Sequence, residues 1–232
     1  MSSAELSAGR ANDGTAGDGN AGFDEMSFVH LQVHSEYSIS DGLVRLPQLM
    51  TSITENHMEA VAITDDSNLY AAVKFYKAAV KAGIKPIIGV ELTIETDEGD
   101  GAAGQLTLLC RNNMGYQFLC ELLTRAYLQR GTVHKIRLPR QHLADGAAGL
   151  IALSGGVEGE IGRLLLNGHD HSAAVCLEQY RELFSDDNFF LEISRVGRPE
   201  DERHLELTLS FASIHSAPVV ATNAVRFLDA YE

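Results

Sequence analysis

From Phe28 onward the chain alternates short apolar runs with stretches of helical periodicity, and this alternation restricts the possible folds more than any other feature. A run such as AVAIT at Ala60–Thr64 is too short and too uniformly apolar for a surface helix, so it reads as a strand buried on both faces. The same reasoning predicts strands at Phe28–Val33, Ile87–Thr96, Leu106–Cys110, Leu150–Leu153, Phe189–Ile193 and Val219–Ala221. Between them, helices are predicted at Leu46–Asn56, Leu69–Ala82, Met114–Arg130, Glu160–Asn167, Ser172–Phe184 and Asp201–His215, with Gly83 as a C-cap. Strands separated by helices pair mostly in parallel, as βα units. About seven of them favour a closed or nearly closed α/β barrel over an open sheet.

The first 26 residues stand apart. They are rich in Ala, Gly, Ser and Asp and nearly devoid of large apolar groups, so they bury too little to offset the entropy of ordering and are predicted to be disordered. Residues 27–232 suffice for one α/β domain with a sizeable core. No apolar run approaches the roughly 18 residues of a membrane span, so no membrane partner is expected. The N-terminus lacks the basic start and apolar middle of a secretory signal, which predicts a cytoplasmic location. Cys110, Cys120 and Cys176 are odd in number and show no CxxC spacing, which points to free thiols. A net charge of −14, from 18 basic against 32 acidic residues, repels a phosphate backbone; little direct nucleic-acid binding is expected, and protein partners suit this surface better.

In barrels of parallel strands the chemistry gathers at the C-terminal strand ends, where the following loops converge. Those stretches read HLQVHSEYSISDG, AITDDSNL, IIGVEL and VVATNAVRF, with NNMGYQFL, LSGG and FLEISRVGRP between them. In order and spacing across Phe28–Phe227 they resemble the PHP (polymerase and histidinol phosphatase) domain of bacterial DNA polymerase III alpha subunits. The segment VKFYKAAVKAGIKPIIGVEL is similar to the polymerase branch rather than the histidinol-phosphate phosphatase branch. The resemblance implies a distorted (βα)7 barrel with mostly parallel strands. It also implies an N-terminal domain of a longer chain, because polymerase sequences continue where this one ends in LDAYE.

Active members of that family hold zinc, manganese or iron through His, Asp and Glu at the barrel mouth, and the metals activate water for phosphoester hydrolysis. Carried over by resemblance, the ligand pattern falls on nine positions here. The opening His-x-His pair falls on Gln32 and His34, and the Asp-His pair after the second strand falls on Asp65 and Asp66. The strand glutamate is kept as Glu91, whereas two further histidines fall on Gln105 and Val196 and the closing Asp-x-His pair falls on Ala224 and Arg226. His34, Asp65 and Glu91 survive, Asp66 retains a lone pair, and the losses at Gln32, Gln105, Val196, Ala224 and Arg226 are spread around the mouth. This predicts vestigial ligand positions, no resident metal or other cofactor, and no catalytic residue. A guanidinium at Arg226 is expected instead to pair with Asp65, Asp66 or Glu91.

The resemblance therefore implies a scaffold that stabilises the remainder of the polymerase alpha chain and docks the proofreading exonuclease subunit, nucleotidyl transfer belonging to the whole subunit. The rival is a metal-dependent phosphoesterase or proofreading nuclease using zinc or manganese in a reduced site of His34, Asp65, Asp66 and Glu91. Other features have plainer readings. The His169/His171 pair is expected in a polar turn, SGGVEGEIG as a tight strand-to-helix turn without the lysine of a phosphate-binding loop, and Lys74, Lys77 and Lys81 as a solvated helix face.

Overall fold

A computed structural model describes residues 28–39, 41–96, 103–129 and 136–228. The disorder predicted for residues 1–26 lies outside this set. The strands are β1 (Ala60–Ile63), β2 (Lys85–Glu95), β3 (Ala103–Cys110), β4 (Leu138–Pro139), β5 (Leu150–Leu153), β6 (Phe189–Ser194) and β7 (Val219–Thr222). The helices are α1 (Leu46–Glu55), α2 (Ala72–Ala82), α3 (Asn113–Gln129), α4 (Glu160–Leu166), α5 (Asp170–Phe184) and α6 (Asp201–His215). None of the described helices is long and apolar enough to cross a membrane.

Local chemistry accounts for the element ends. α1 begins with Pro47 in its first turn, where a missing N–H costs nothing, and buries Leu46, Leu49, Met50 and Ile53 along one stripe. α2 stops at Gly83, whose φ of 75° is the left-handed conformation that glycine adopts without penalty. It starts three residues later than Leu69, because the Asn68 side chain accepts from the Tyr70 amide and donates to Tyr37 O and Asp66 O, holding a turn there. α5 starts at Asp170 rather than Ser172, so His169 stands at the N-cap position, without a side-chain cap, and His171 lies in its first turn rather than in a connecting loop.

The sheet runs β1-β2-β3-β5-β6-β7, with β4 pairing on β2. β1, β2, β4, β5, β6 and β7 pair in parallel within the sheet, while β3 is antiparallel to both β2 and β5. The reason is connectivity: only seven residues, 96–102, separate β2 from β3, too few for the crossover that a parallel pair needs. The predicted strand at Phe28–Val33 forms no ladder. His30 and Val33 make single bridges to Val61 and Val225, and Val225 N–H donates to Gln32 O at 3.0 Å. This segment thus lies between β1 and the chain after β7, closing the ring through isolated bridges, which is the distortion of the barrel.

Strand alternation divides the side chains. Val61, Val90, Leu108, Ala152 and Leu191 pack outward under the helices, while Ala62, Leu109 and Leu153, with Ile87, Phe190 and Val220, form a small apolar cluster on the other face. Along that inner face β2, β6 and β7 turn polar toward their C-terminal ends: Ile87 gives way to Glu91, Phe190 to Glu192, Val220 to Thr222. β3 reverses the gradient, from Gln105 to Leu109, as its antiparallel direction requires. The polar ends all meet at one mouth.

Candidate functional site

The mouth is a cavity of ≈ 640 Å³ whose lining includes Gln32, Asp66, Gln105, Glu192, Ala224 and Arg226, with the Gly155-Gly156 turn on one side. His34, Asp65 and Glu91 lie just beneath, each at most 2% exposed. Val196 does not line it; this residue is exposed, and its amide donates to Asp201 Oδ2 at 2.7 Å.

Glu91 is the hub. Gln32 Nε2 donates to its Oε2 at 2.5 Å. His34 Nε2 stands 3.3 Å from the same oxygen, near enough to attract it but off the line of a hydrogen bond. Arg226 Nη2 lies 3.9 Å from Oε1. Burial pushes the Glu91 carboxyl up, but the His34 ring, the Arg226 charge and the Gln32 amide outweigh it and hold the group below the ordinary carboxylate value. The shorter contact of Arg226 is elsewhere, from Nε to Asp41 Oδ2 at 3.1 Å, and Asp41 Oδ2 also meets His34 Nδ1 at 3.0 Å. Asp41 therefore ties an imidazole and a guanidinium together.

The carboxylates expected to answer Arg226 are engaged differently. Asp65 Oδ1 accepts from Ser35 N–H at 2.6 Å, Ser35 Oγ at 2.9 Å and Ser38 Oγ at 2.8 Å, and its Oδ2 accepts from Ser35 Oγ at 2.9 Å. Asp66 Oδ1 accepts from Ser67 Oγ at 2.8 Å, while its backbone N–H donates to Ser38 Oγ. Of the three carboxylates expected as alternative partners, Arg226 thus meets Glu91, at long range, while both oxygens of Asp65 accept from Ser35 or Ser38 and one oxygen of Asp66 accepts from Ser67.

One further carboxyl belongs to the mouth. Glu192, on β6, accepts from Thr222 Oγ1 at 2.6 Å and from Gly155 N–H at 3.1 Å. Burial pushes its carboxyl up to about 7, with the hydrogen bonds from Thr222 and Gly155 opposing and the Glu91 charge adding. The SGGVEGEIG segment is the expected tight turn: Gly155 and Gly156 both have positive φ, and a Cβ on Gly155 would stand 2.1 Å from Gln105 O. Asp41, Ser35, Ser38 and Glu192 were not singled out from sequence. Glu192 alone left a signal there, as an acid on the same strand face as Phe190.

Among the described residues, no three His, Cys, Asp or Glu side chains converge as metal ligands do. Cys110, Cys120 and Cys176 form no disulfide. His204, on α6, is buried with its Nε2 3.2 Å from Thr208 Oγ1.

A family model described as "PHP domain" matches residues 30–196. The DNA polymerase III subunit alpha of Vibrio cholerae is 42% identical over 201 residues, and that of Pseudomonas aeruginosa 43% over 203. These matches take in 87% and 88% of this chain but 17% of either relative, so the chain spans about a sixth of the length of these relatives. Escherichia coli K12 has a relative of the same description at 42% identity, matched over 88% of this chain and 18% of its own length. Among solved structures, an amidohydrolase from Chromobacterium violaceum superposes with a TM-score of 0.55 at 13% identity, covering 85% of this chain and 87% of that one. A Bifidobacterium adolescentis protein, named as a candidate metal-dependent phosphoesterase, gives 0.54 at 11% identity over 87% and 88%. At such identities the likeness concerns the fold.

Proposed function

This chain belongs to the PHP domain family, and we propose that it is the N-terminal PHP domain of a replicative DNA polymerase III alpha subunit, serving as a scaffold instead of a hydrolase. The polymerase relatives at 42% and 43% identity support the placement, and DNA-directed nucleotidyl transfer would then belong to the longer chain of which this is one domain. As a scaffold in the cytoplasm it stabilises the polymerase and docks the proofreading exonuclease subunit. The acidic balance of −14 supports a protein-facing role with little direct contact to nucleic acid.

The observation that carries the scaffold reading is the pairing of Arg226 with Asp41 and Glu91 in the mouth. A permanent cation beside the buried Glu91 carboxylate opposes a divalent ion there, and Asp65 spends its oxygens on Ser35 and Ser38. Gln32 and Gln105 offer neutral amides in place of imidazoles. The donor set therefore does not fit a multinuclear metal centre.

Elemental analysis of the purified chain tests this reading. Zinc, manganese and iron far below one equivalent, with background hydrolysis of p-nitrophenyl phosphate in added manganese, is the expected result. Stoichiometric metal, or manganese-dependent hydrolysis abolished by Asp65→Asn, overturns it in favour of the one-metal phosphoesterase.

A further inference from the structure

α2 buries Ala72, Phe75 and Ala79, and turns a second apolar stripe outward. Val73, Tyr76 and Val80 follow one another at helical spacing, and Val73 and Tyr76 are 60% and 55% exposed. Facing them across a gap is α3, whose half-buried Tyr116, Cys120 and Tyr127 recur on one side. Two hollows mark the gap. One, of ≈ 470 Å³, is floored by Pro86, Ile88 and Cys110 and walled by Tyr76 and Tyr116; the other, of ≈ 390 Å³, is walled by Tyr70, Tyr127 and Leu128. Tyr116 and Cys120, one helical turn apart, belong to the first and second hollow, so the two form one groove.

Two properties of this groove point to an occupant. Four of the chain's seven tyrosines line it, and tyrosine is the residue type most useful where a surface must be apolar in its body and wet at its tip. Its charge is also opposite to that of the molecule. The chain has 32 acidic residues, yet among the described residues no acid lines either hollow, while Lys77 and Arg111 both line the first. α2 itself has three lysines and no acid.

We propose that the groove between α2 and α3 docks an acidic segment of another polypeptide, one that inserts apolar anchors between Tyr76 and Tyr116 and sets its carboxylates against Lys77 and Arg111. An exposed apolar stripe stays in water only at a cost, and a cationic rim on an otherwise anionic body selects a partner of negative charge. The geometry is that of an amphipathic helix or extended segment laid into a groove. A nucleic-acid strand is the lesser fit, because the acidic remainder of the surface repels a polyphosphate that extends beyond the groove. The proposal is independent of the scaffold reading, since it rests on no residue of the barrel mouth.

The test selects a random-sequence peptide display library on the 232-residue chain and measures the enriched peptides by fluorescence anisotropy. The expected peptides combine aromatic or aliphatic anchors with Asp or Glu. Tyr76→Ala and Lys77→Glu, both at exposed positions, should each weaken binding by about tenfold or more while leaving the melting temperature unchanged. The proposal is overturned by any of four results. These are failure to enrich peptides, enrichment of peptides without acids, affinities in both variants within about twofold of the parent, or displacement of the peptide by labelled oligothymidylate. A concentration-dependent dimer that Tyr76→Ala dissolves also overturns it, assigning the groove to a second copy.

Discussion

Gln32 Nε2 lies 2.5 Å from Glu91 Oε2, so a side-chain amide donates to a carboxylate that is itself 2% exposed. Removing that donor takes away the hydrogen bond that this buried carboxylate accepts at Oε2. Gln32→Ala is expected to cost about 1–3 kcal/mol in urea denaturation. An unchanged midpoint would show that water or Arg226 replaces the amide without loss.

Asp65 makes the sharpest contrast between scaffold and enzyme. Its three donors, the Ser35 amide and the Ser35 and Ser38 hydroxyls, hold the loop after His34 onto the end of β1. Asn at this position keeps one acceptor oxygen and turns a donor toward a serine hydroxyl. Asp65→Asn should lower stability by about 2 kcal/mol, or roughly 4–8 °C in melting temperature for a chain of this size. A ligand with no structural duty would instead leave the melting curve where it was.

The Glu192 carboxyl, pushed up to about 7 from an ordinary 4.5, predicts a stability that depends on pH. Between these values the folded chain keeps a proton that the unfolded chain has released. The associated stability is present below the unfolded value and is lost as pH rises through about 7. Glu192→Gln cannot ionise. The difference in unfolding free energy between variant and parent should therefore grow in favour of Gln by something on the order of 3 kcal/mol from pH 4.5 to pH 8. A constant difference across that range would refute the raised value.

Away from the mouth, Arg140 Nη2 reaches both oxygens of Glu160 at 2.6 Å, and its guanidinium lies over the Tyr180 ring at 5.0 Å. The pair joins the turn after β4 to the start of α4, with Glu160 5% exposed. Arg140→Ala should cost about 3–5 kcal/mol, because it leaves a buried carboxylate without its cation. The double variant Arg140→Met/Glu160→Leu should recover most of that loss, and equal losses in single and double variants would contradict the account.

How much of this was legible beforehand depends on the range of the forces involved. β5 and α6 occupy the residues that their periodicity predicts, because burial on a strand or helix is written locally in the order of apolar and polar side chains. Phe28–Val33 carries the same kind of pattern, yet forms only isolated bridges, since pairing depends on what β1 and the Val225 segment present. β4, at two residues, is too short to leave any period. The positions carried over from the family resemblance bring Gln32, Asp66, Gln105, Ala224 and Arg226 to one mouth, whereas Val196 faces out of it.

The sequence by itself determined an alternating α/β chain and the polarity of its strand ends, because each of these is a property of residue type and local order. Tertiary structure alone decided that Arg226 turns to Asp41, that Asp65 is consumed by Ser35 and Ser38, and that Glu192 stands beside Thr222 and Gly155. These contacts join residues up to 185 positions apart in the chain, as 226 minus 41 gives. No local pattern encodes them, because the choice among competing partners for one charge is made by distance and burial, which exist only once the ring of strands has closed.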